Sequence, residues 1–301
     1  MTSTLIIGAT GLLGSELAKA SARNGDRLHV LVRPATAGNE ERLRLLKELG
    51  AKIHVGDLDD YDSLVRAAGA VDRVISSVHV DSASEMTLVR ALRDAGVSRY
   101  VPSAGFGLDF AAAAPGSIPP LDLKRDVFSA IKEADLPYTV IYTNGFFSTW
   151  VATLGDLMRF GSAPLPPEEV TLYGEGNVPA TFVSEKDIAA VTLRALDDPT
   201  AIRSEIRIAQ NKITQNEMID LWRRVSGRSL RIVPQSAAEL EAMIVSAPWL
   251  GLLRAFWIRG ETALEAATPE AGVLYPELRF ETIESAFVAM AVAEGRGRAK
   301  R

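Results

Sequence analysis

Leu5-Ile6-Ile7-Gly8-Ala9-Thr10-Gly11-Leu12-Leu13-Gly14 opens the chain and decides its fold class. An apolar strand runs into three glycines and then into a helix start, the local chemistry of a dinucleotide cradle. Gly8 permits the tight turn off the strand, Gly11 lets backbone N–H groups approach a pyrophosphate, and Gly14 lets helix and strand pack closely. Thr10, Leu12 and Leu13 share that turn, where a helix N-terminus offers N–H groups to an anion.

The spacing is G-x-x-G-x-x-G, which points toward short-chain or extended dehydrogenase-like proteins rather than G-x-G-x-x-G enzymes. The next strand selects the cofactor. A terminal carboxylate there would bind the ribose 2′-OH of NAD, but Leu28-His29-Val30-Leu31-Val32 ends in Arg33, about twenty residues past the glycines. Its planar, permanently charged guanidinium suits a 2′-phosphate and stacks on adenine. NADPH is the cofactor expected. Arg42, at the start of the next predicted helix, either closes the other side of that phosphate or is a solvated charge among Glu40, Glu41, Arg44 and Lys47.

With 301 residues, 47% hydrophobic and 24% charged, the chain reads as an ordinary globular protein able to bury a large core. A net charge of -5 leaves no electrostatic footprint for nucleic acid or an anionic membrane. Arg296 to Arg301 is a short basic tail, expected to be solvated. The absence of cysteine excludes disulfides, thiol nucleophiles and Cys-ligated zinc, and fits a reducing cytoplasm. His29, His54 and His79 lack metal-ligand spacing, so no metal is expected, and only His79 falls at the predicted ligand edge. The first apolar run is already the nucleotide strand, so no secretory leader is read. No apolar run reaches the roughly 18–20 residues of a membrane span.

Strand-like runs at Thr4 to Ile7, Leu28 to Val32, Lys52 to Val55, Arg73 to Ser77, Arg99 to Ser103 and Tyr138 to Tyr142 alternate with amphipathic segments. That alternation predicts a Rossmann-type α/β fold with a doubly wound parallel sheet. After about residue 150 the period breaks, so 1–150 is read as the dinucleotide-binding domain. Residues 151–301 are read mainly as a smaller α+β substrate-binding region, with some segments returning to the first. Ser184 with Asp187, and Thr214 with Glu217, resemble capping boxes.

Ligands of such sheets lie beyond the carboxyl ends of the strands. The residues there are the glycine turn, Arg33, Asp57 and Leu58, Ser77 and Val78, Ser103, and Asn144 and Phe146, all expected toward the cofactor. Asp57 reads equally well as a helix cap. Phe106, Phe147 and Trp150 are expected to wall an aromatic substrate pocket. Trp249 to Trp257 is an apolar helical patch that reads first as core, then as cleft wall or subunit contact, the last allowing a homodimer.

No tyrosine in the chain is followed four residues later by lysine, so the Tyr-x-x-x-Lys pair of short-chain dehydrogenases is missing. Lys124 stands at the start of the helix between strands five and six. It is either a solvated first-turn lysine or, desolvated beside a bound cofactor, a general acid/base.

Lys124-Arg125-Asp126-Val127-Phe128-Ser129-Ala130-Ile131, Leu136-Pro137-Tyr138-Thr139 and Asn144-Gly145-Phe146-Phe147 resemble the isoflavone reductase-like proteins. These include the pinoresinol-lariciresinol, phenylcoumaran benzylic ether and eugenol-forming reductases of the NmrA-like atypical short-chain group. Val30 to Arg33, Gly56 to Asp60, Val74 to Val78, Tyr173 to Asn177, Phe182 to Ala189, Asp197 to Pro199, Asn211 to Glu217 and Leu274 to Pro276 extend the match over nearly the whole chain. The resemblance implies that Lys124 is the catalytic acid/base and that the positions of Arg33 and Arg42 hold the NADPH 2′-phosphate. It implies an NADPH-dependent reductase of a phenylpropanoid-derived or related aromatic substrate. The second reading is a non-catalytic NmrA-like sensor of NADP(H) that binds a protein partner; a sugar-nucleotide epimerase is disfavoured by the missing Tyr-x-x-x-Lys. Two departures fall near the expected pocket. The plant enzymes carry Pro-Ser-Glu-Phe-Gly after strand five, where this chain has Pro102-Ser103-Ala104-Gly105-Phe106-Gly107 and no glutamate. Four residues after the lysine they carry arginine, and here Phe128.

Overall fold

The computed structural model describes residues 2–78, 82–110, 113–162, 165–263 and 267–298. His79, Ala111, Ala112 and residues 299–301 of the expected tail lie outside the described residues; before them the last helix continues to Arg298.

The first half alternates as its apolar runs require. The order is β1 (Ser3–Ile7), α1 (Leu12–Arg23), β2 (Arg27–Val32), a short α2 (Pro34–Ala37), α3 (Glu40–Glu48) and β3 (Lys52–Val55). Then come α4 (Tyr61–Ala68), β4 (Arg73–Ser76), α5 (Ser82–Ala95), β5 (Arg99–Val101), α6 (Pro119–Glu133) and β6 (Thr139–Tyr142). Five parallel strands pair in the order β3-β2-β1-β4-β5, and a bridge from Tyr100 to Tyr138 carries the sheet on to β6. β1 is buried along its whole length because strands flank it and helices cover both faces, which is why it reads as a continuous rather than an alternating apolar run. The order reverses between β1 and β4. There, beyond the strand ends, Gly8 faces Ser77, at the switch point where such sheets bind ligands.

The second half adds β7 (Gly145–Phe146), β8 (Glu169–Tyr173), β9 (Pro179–Val183), α7 (Glu185–Leu196), β10 (Ser204–Arg207) and β11 (Lys212–Thr214). It ends with α8 (Gln215–Ser226), β12 (Arg231–Gln235), α9 (Ala237–Ser246), α10 (Gly251–Trp257), α11 (Ala271–Leu274) and α12 (Ile283–Arg298). Its strands form small sheets, β7-β9-β11 and β8-β12. The interior does not part at residue 150. α7 packs on α1, and β10 pairs in parallel with β6, so Ile188, Val191, Leu196 and Ile206 share one core with Leu17 and Val30. Conversely Leu108 and Phe147 belong to the core of the second region with Phe182, Trp222 and Phe287.

Buried charges bind the returning helix beneath the sheet. Arg73 reaches Asp26 at 3.1 Å and Asp197 at 2.6 Å, while Arg99 donates to the carbonyls of Ala195 and Asp198 and to Thr139 Oγ1. Cations so placed satisfy the orphan carbonyls of a helix end and oppose its dipole. The Thr214–Glu217 box closes reciprocally, but at Ser184 only the serine caps. Asp187 instead accepts the N–H of Glu281 at 2.8 Å, tying α7 to the start of α12.

Gly14 shows how tightly the cradle is built. A Cβ there would lie 2.0 Å from the carbonyl oxygen of Gly8. On an open helix Gly→Ala gains about 1 kcal/mol of propensity, yet here strand and helix would have to separate. Gly14→Ala is expected to lose about 3 kcal/mol in urea unfolding, and an unchanged midpoint would contradict the close approach.

Candidate active site

Two cavities meet along the carboxyl ends of the strands. The first, about 590 Å³, is lined by Gly8, Thr10, Gly11, Arg33, Thr36, Asp57 and Leu58. The second, about 750 Å³, is lined by Leu12, Leu13, Ser103, Phe106, Pro120, Leu123, Lys124, Phe146, Thr149 and Trp249. Ser77 and Val78 wall both, so the two form one groove. Its first end is polar backbone and charge, and its second is mostly hydrocarbon.

The first end fits an extended dinucleotide. Gly8 has φ +86°, and a Cβ on it would lie 2.9 Å from the Ser77 carbonyl, so only glycine permits this approach of turn to strand. The Gly11 N–H closes the turn on Gly8 O at 2.9 Å. The N–H groups of Leu12 and Leu13 stand in the first turn of α1 with no helical carbonyl before them, and both residues line the groove. Arg33 caps α2 from an exposed position, and among the described residues its guanidinium has no ion-pair partner. An uncompensated cation at the rim fits a phosphate.

Arg42 is not brought to this groove. The turn at Gly38 and Asn39 restarts the chain as α3, which buries Leu43 and Leu46 and leaves Arg42 on the exposed face. Thr36 takes the place beside Arg33, a role hidden in the sequence because α2 is too short to show a period. Asp57 lines the groove and is not a helix cap; Asp60 caps α4 by accepting the Ser63 N–H at 3.0 Å.

Lys124 enters the second cavity from the first turns of α6, whose start is fixed by Pro119 and Pro120. Its Nζ donates to the Phe106 carbonyl at 2.6 Å. The loop that carries this carbonyl makes room for it, since at Gly107, φ +140°, a Cβ would sit 2.9 Å from Nζ. Burial pushes the ammonium pKa down to about 8 against the raising effect of the Glu85 carboxylate. At pH 7 about one amine in ten is then unprotonated, against about one in three thousand at the ordinary value.

The aromatic wall differs from expectation. Phe106 lines the cavity, but Phe147 and Trp150 are buried in the second core. Successive residues of a strand point to opposite faces, so Phe146 at the end of β7 faces the groove and Phe147 turns away. The π-helical turn that follows sends Trp150 onto Phe256, with ring centroids 3.7 Å apart. In the Trp249 patch, Leu250, Leu253, Phe256 and Trp257 are core, and half-exposed Trp249 alone of these lines the cavity.

Asn144 stands behind the wall. With φ +52°, it donates its backbone N–H to Gly107 O at 2.8 Å, and its two side-chain amide atoms are buried with no partner among the described residues. At the two departures from the plant pattern, Phe128 and Ala104 lie off the cavity, although Ser103 and Phe106 beside Ala104 line it. Phe128, one turn of about 5.4 Å beyond Lys124, packs on Phe110 and Tyr138, and Ala104 is in the core beside Val127 and Ile131. His54 Nε2 meets His29 Nδ1 at 3.0 Å across β2 and β3, away from the groove.

A model of the NmrA-like family matches residues 1–285. The chain belongs to the NmrA-like family. A bifunctional pinoresinol-lariciresinol reductase of Linum perenne is 34% identical over 306 residues, covering 93% of this chain and 96% of that protein. Among solved structures, an isoflavone reductase aligns with TM-score 0.83 at 28% identity, covering 95% of this chain and 98% of that one. The leucoanthocyanidin reductase of Vitis vinifera, solved as a binary complex with NADPH, aligns with TM-score 0.82 at 26% identity over 96% and 99% of the two chains. This NmrA-like chain thus shares most of its length and its doubly wound sheet with reductases.

Proposed function

We propose that the chain is an NADPH-dependent reductase of a small, phenylpropanoid-derived aromatic substrate, with Lys124 as general acid/base. The observation that carries this reading is the continuity at Ser77 and Val78. One groove joins a phosphate cradle to an apolar chamber whose wall presents the amine of Lys124. The names of the relatives support the same class of chemistry.

In this reading the Gly8–Gly14 turn holds the pyrophosphate and Arg33 the 2′-phosphate, with Leu58 against the adenine. Residues 1–150 bind the cofactor and supply most of the chamber wall, and from residues 151–301 Trp249 closes that chamber while α7 and β10 complete the first layer. When bound, the reduced nicotinamide supplies hydride, chemistry that belongs to the cofactor. The protein supplies orientation and a dry wall: Leu12, Leu13, Phe106, Phe146 and Trp249 exclude water from the reacting carbon. Neutral Lys124 Nζ takes a phenolic proton, the phenolate electrons expel the benzylic oxygen and leave a quinone methide carbon that accepts the hydride, and the charged Lys124 returns the proton to the departing oxygen.

Oxidation of NADPH in the presence of a panel of lignans, isoflavonoids and aryl enones is the test. Turnover with at least one of them is expected. No oxidation across the panel, together with a protein partner that binds only one redox state of the cofactor, would replace this reading by that of a sensor.

A further inference from the structure

Glu85 is buried completely in the first turn of α5. A carboxylate there is costly unless it is held. Its Oε1 accepts the hydroxyl of Ser103 at 2.5 Å. The buried hydroxyl of Tyr100 adjoins it, with its pKa pushed up by burial and then by the Glu85 charge. Ser103 and Lys124 line the same cavity, so the carboxylate stands one side chain behind the wall that carries the amine.

A serine hydroxyl has one proton to give. Here it goes to Glu85, so Ser103 Oγ has only lone pairs left to offer the groove that the residue lines. On α6, Arg125 pairs with Asp122 at 2.6 Å and donates to the carbonyls of Phe110 and Ala113, and Asp126 is exposed to solvent. Among the described residues Glu85 is the charge that acts on the Lys124 ammonium.

We propose that Glu85 is the positioning residue of this site, fixing Ser103 as a hydrogen-bond acceptor toward the ligand and supplying the buried negative charge that holds Lys124 ready to exchange a proton. The proposal rests on the reductase reading above. It adds a specificity rule: the ligand group opposite Ser103 is a donor, a hydroxyl or an amide N–H, and a bare carbonyl there is rejected.

Competitive acylation of lysines followed by mass spectrometry reads the titration of Lys124 in the folded protein without any activity. In the wild type the amine should titrate near 8. Glu85→Gln keeps an acceptor for Ser103 and removes the charge, so the midpoint should fall by about one pH unit. Ser103→Ala strips the carboxylate of its donor, favours the protonated acid, and should move Lys124 the same way by less; it decides the matter if E85Q does not fold. An unmoved Lys124 midpoint in the folded variants overturns the proposal. A shift in a protein that reduces nothing would sink the reductase reading and leave Glu85 in its role; an active protein with no shift would do the reverse.

Discussion

Replacing Lys124 by methionine is expected to lower kcat by about 10²- to 10⁴-fold, the usual contribution of a positioned acid or base. The dissociation constant of NADPH should stay within about threefold of the wild type. Methionine fills the channel of the lysine stem and leaves the Phe106 carbonyl without its 2.6 Å donor, a loss confined to the chamber end of the groove. The phosphate cradle lies beyond Ser77 and is untouched. The wild-type rate should also show a pH limb near 8, where Lys124 changes charge, and K124M should lack it. A variant that keeps its rate, or one in which rate and cofactor affinity fall together, would take Lys124 out of the proton transfer. Stopped-flow turnover and fluorescence titration of the cofactor separate these outcomes.

Arg33→Ala should weaken NADPH binding about 10- to 100-fold and leave NADH nearly unchanged. A charge-assisted contact to phosphate contributes about 1.5–3 kcal/mol, and 1.4 kcal/mol is a factor of ten. Arg33 is the cation on the lining of the first cavity, and Arg42 is turned to solvent on α3. Arg42→Ala should therefore change the affinity for NADPH by less than about threefold. Calorimetry with both cofactors checks the pair. An Arg33 variant that still prefers NADPH as strongly as the wild type, or an Arg42 variant that loses the preference, would reverse the assignment of the clamp.

The parts of this molecule legible in its sequence are those written in backbone chemistry and period. Gly8 and Gly14 have no room for a Cβ, and such positions stand out in a chain because one residue type alone fits them. The alternation of apolar runs likewise reads directly as a parallel sheet, and the residues that end its strands are those that line the groove. What stayed hidden depends on tertiary direction. Phe147 and Trp150 have the composition of a pocket wall, but a strand parity and a π-helical turn aim them into the core. Trp249 shares an apolar run with Leu253 and Phe256, and only the start of α10 decides which of them meets the cavity. Thr36 is brought in by a helix of four residues. Glu85 looks like any acid in an amphipathic helix; its burial appears only when α5 lies against Ser103 and the start of α6.

Hydride delivery inside one continuous groove is tested most directly by following an isotope from cofactor to product. The protein should be incubated with NADPH deuterated at nicotinamide C4 and with the aromatic panel, and the products examined by mass spectrometry and proton NMR. One deuterium is expected on the reduced carbon of a substrate, present with the wild type and lost with K124M. A protein that binds NADPH tightly yet places no deuterium in any aromatic compound would contradict it.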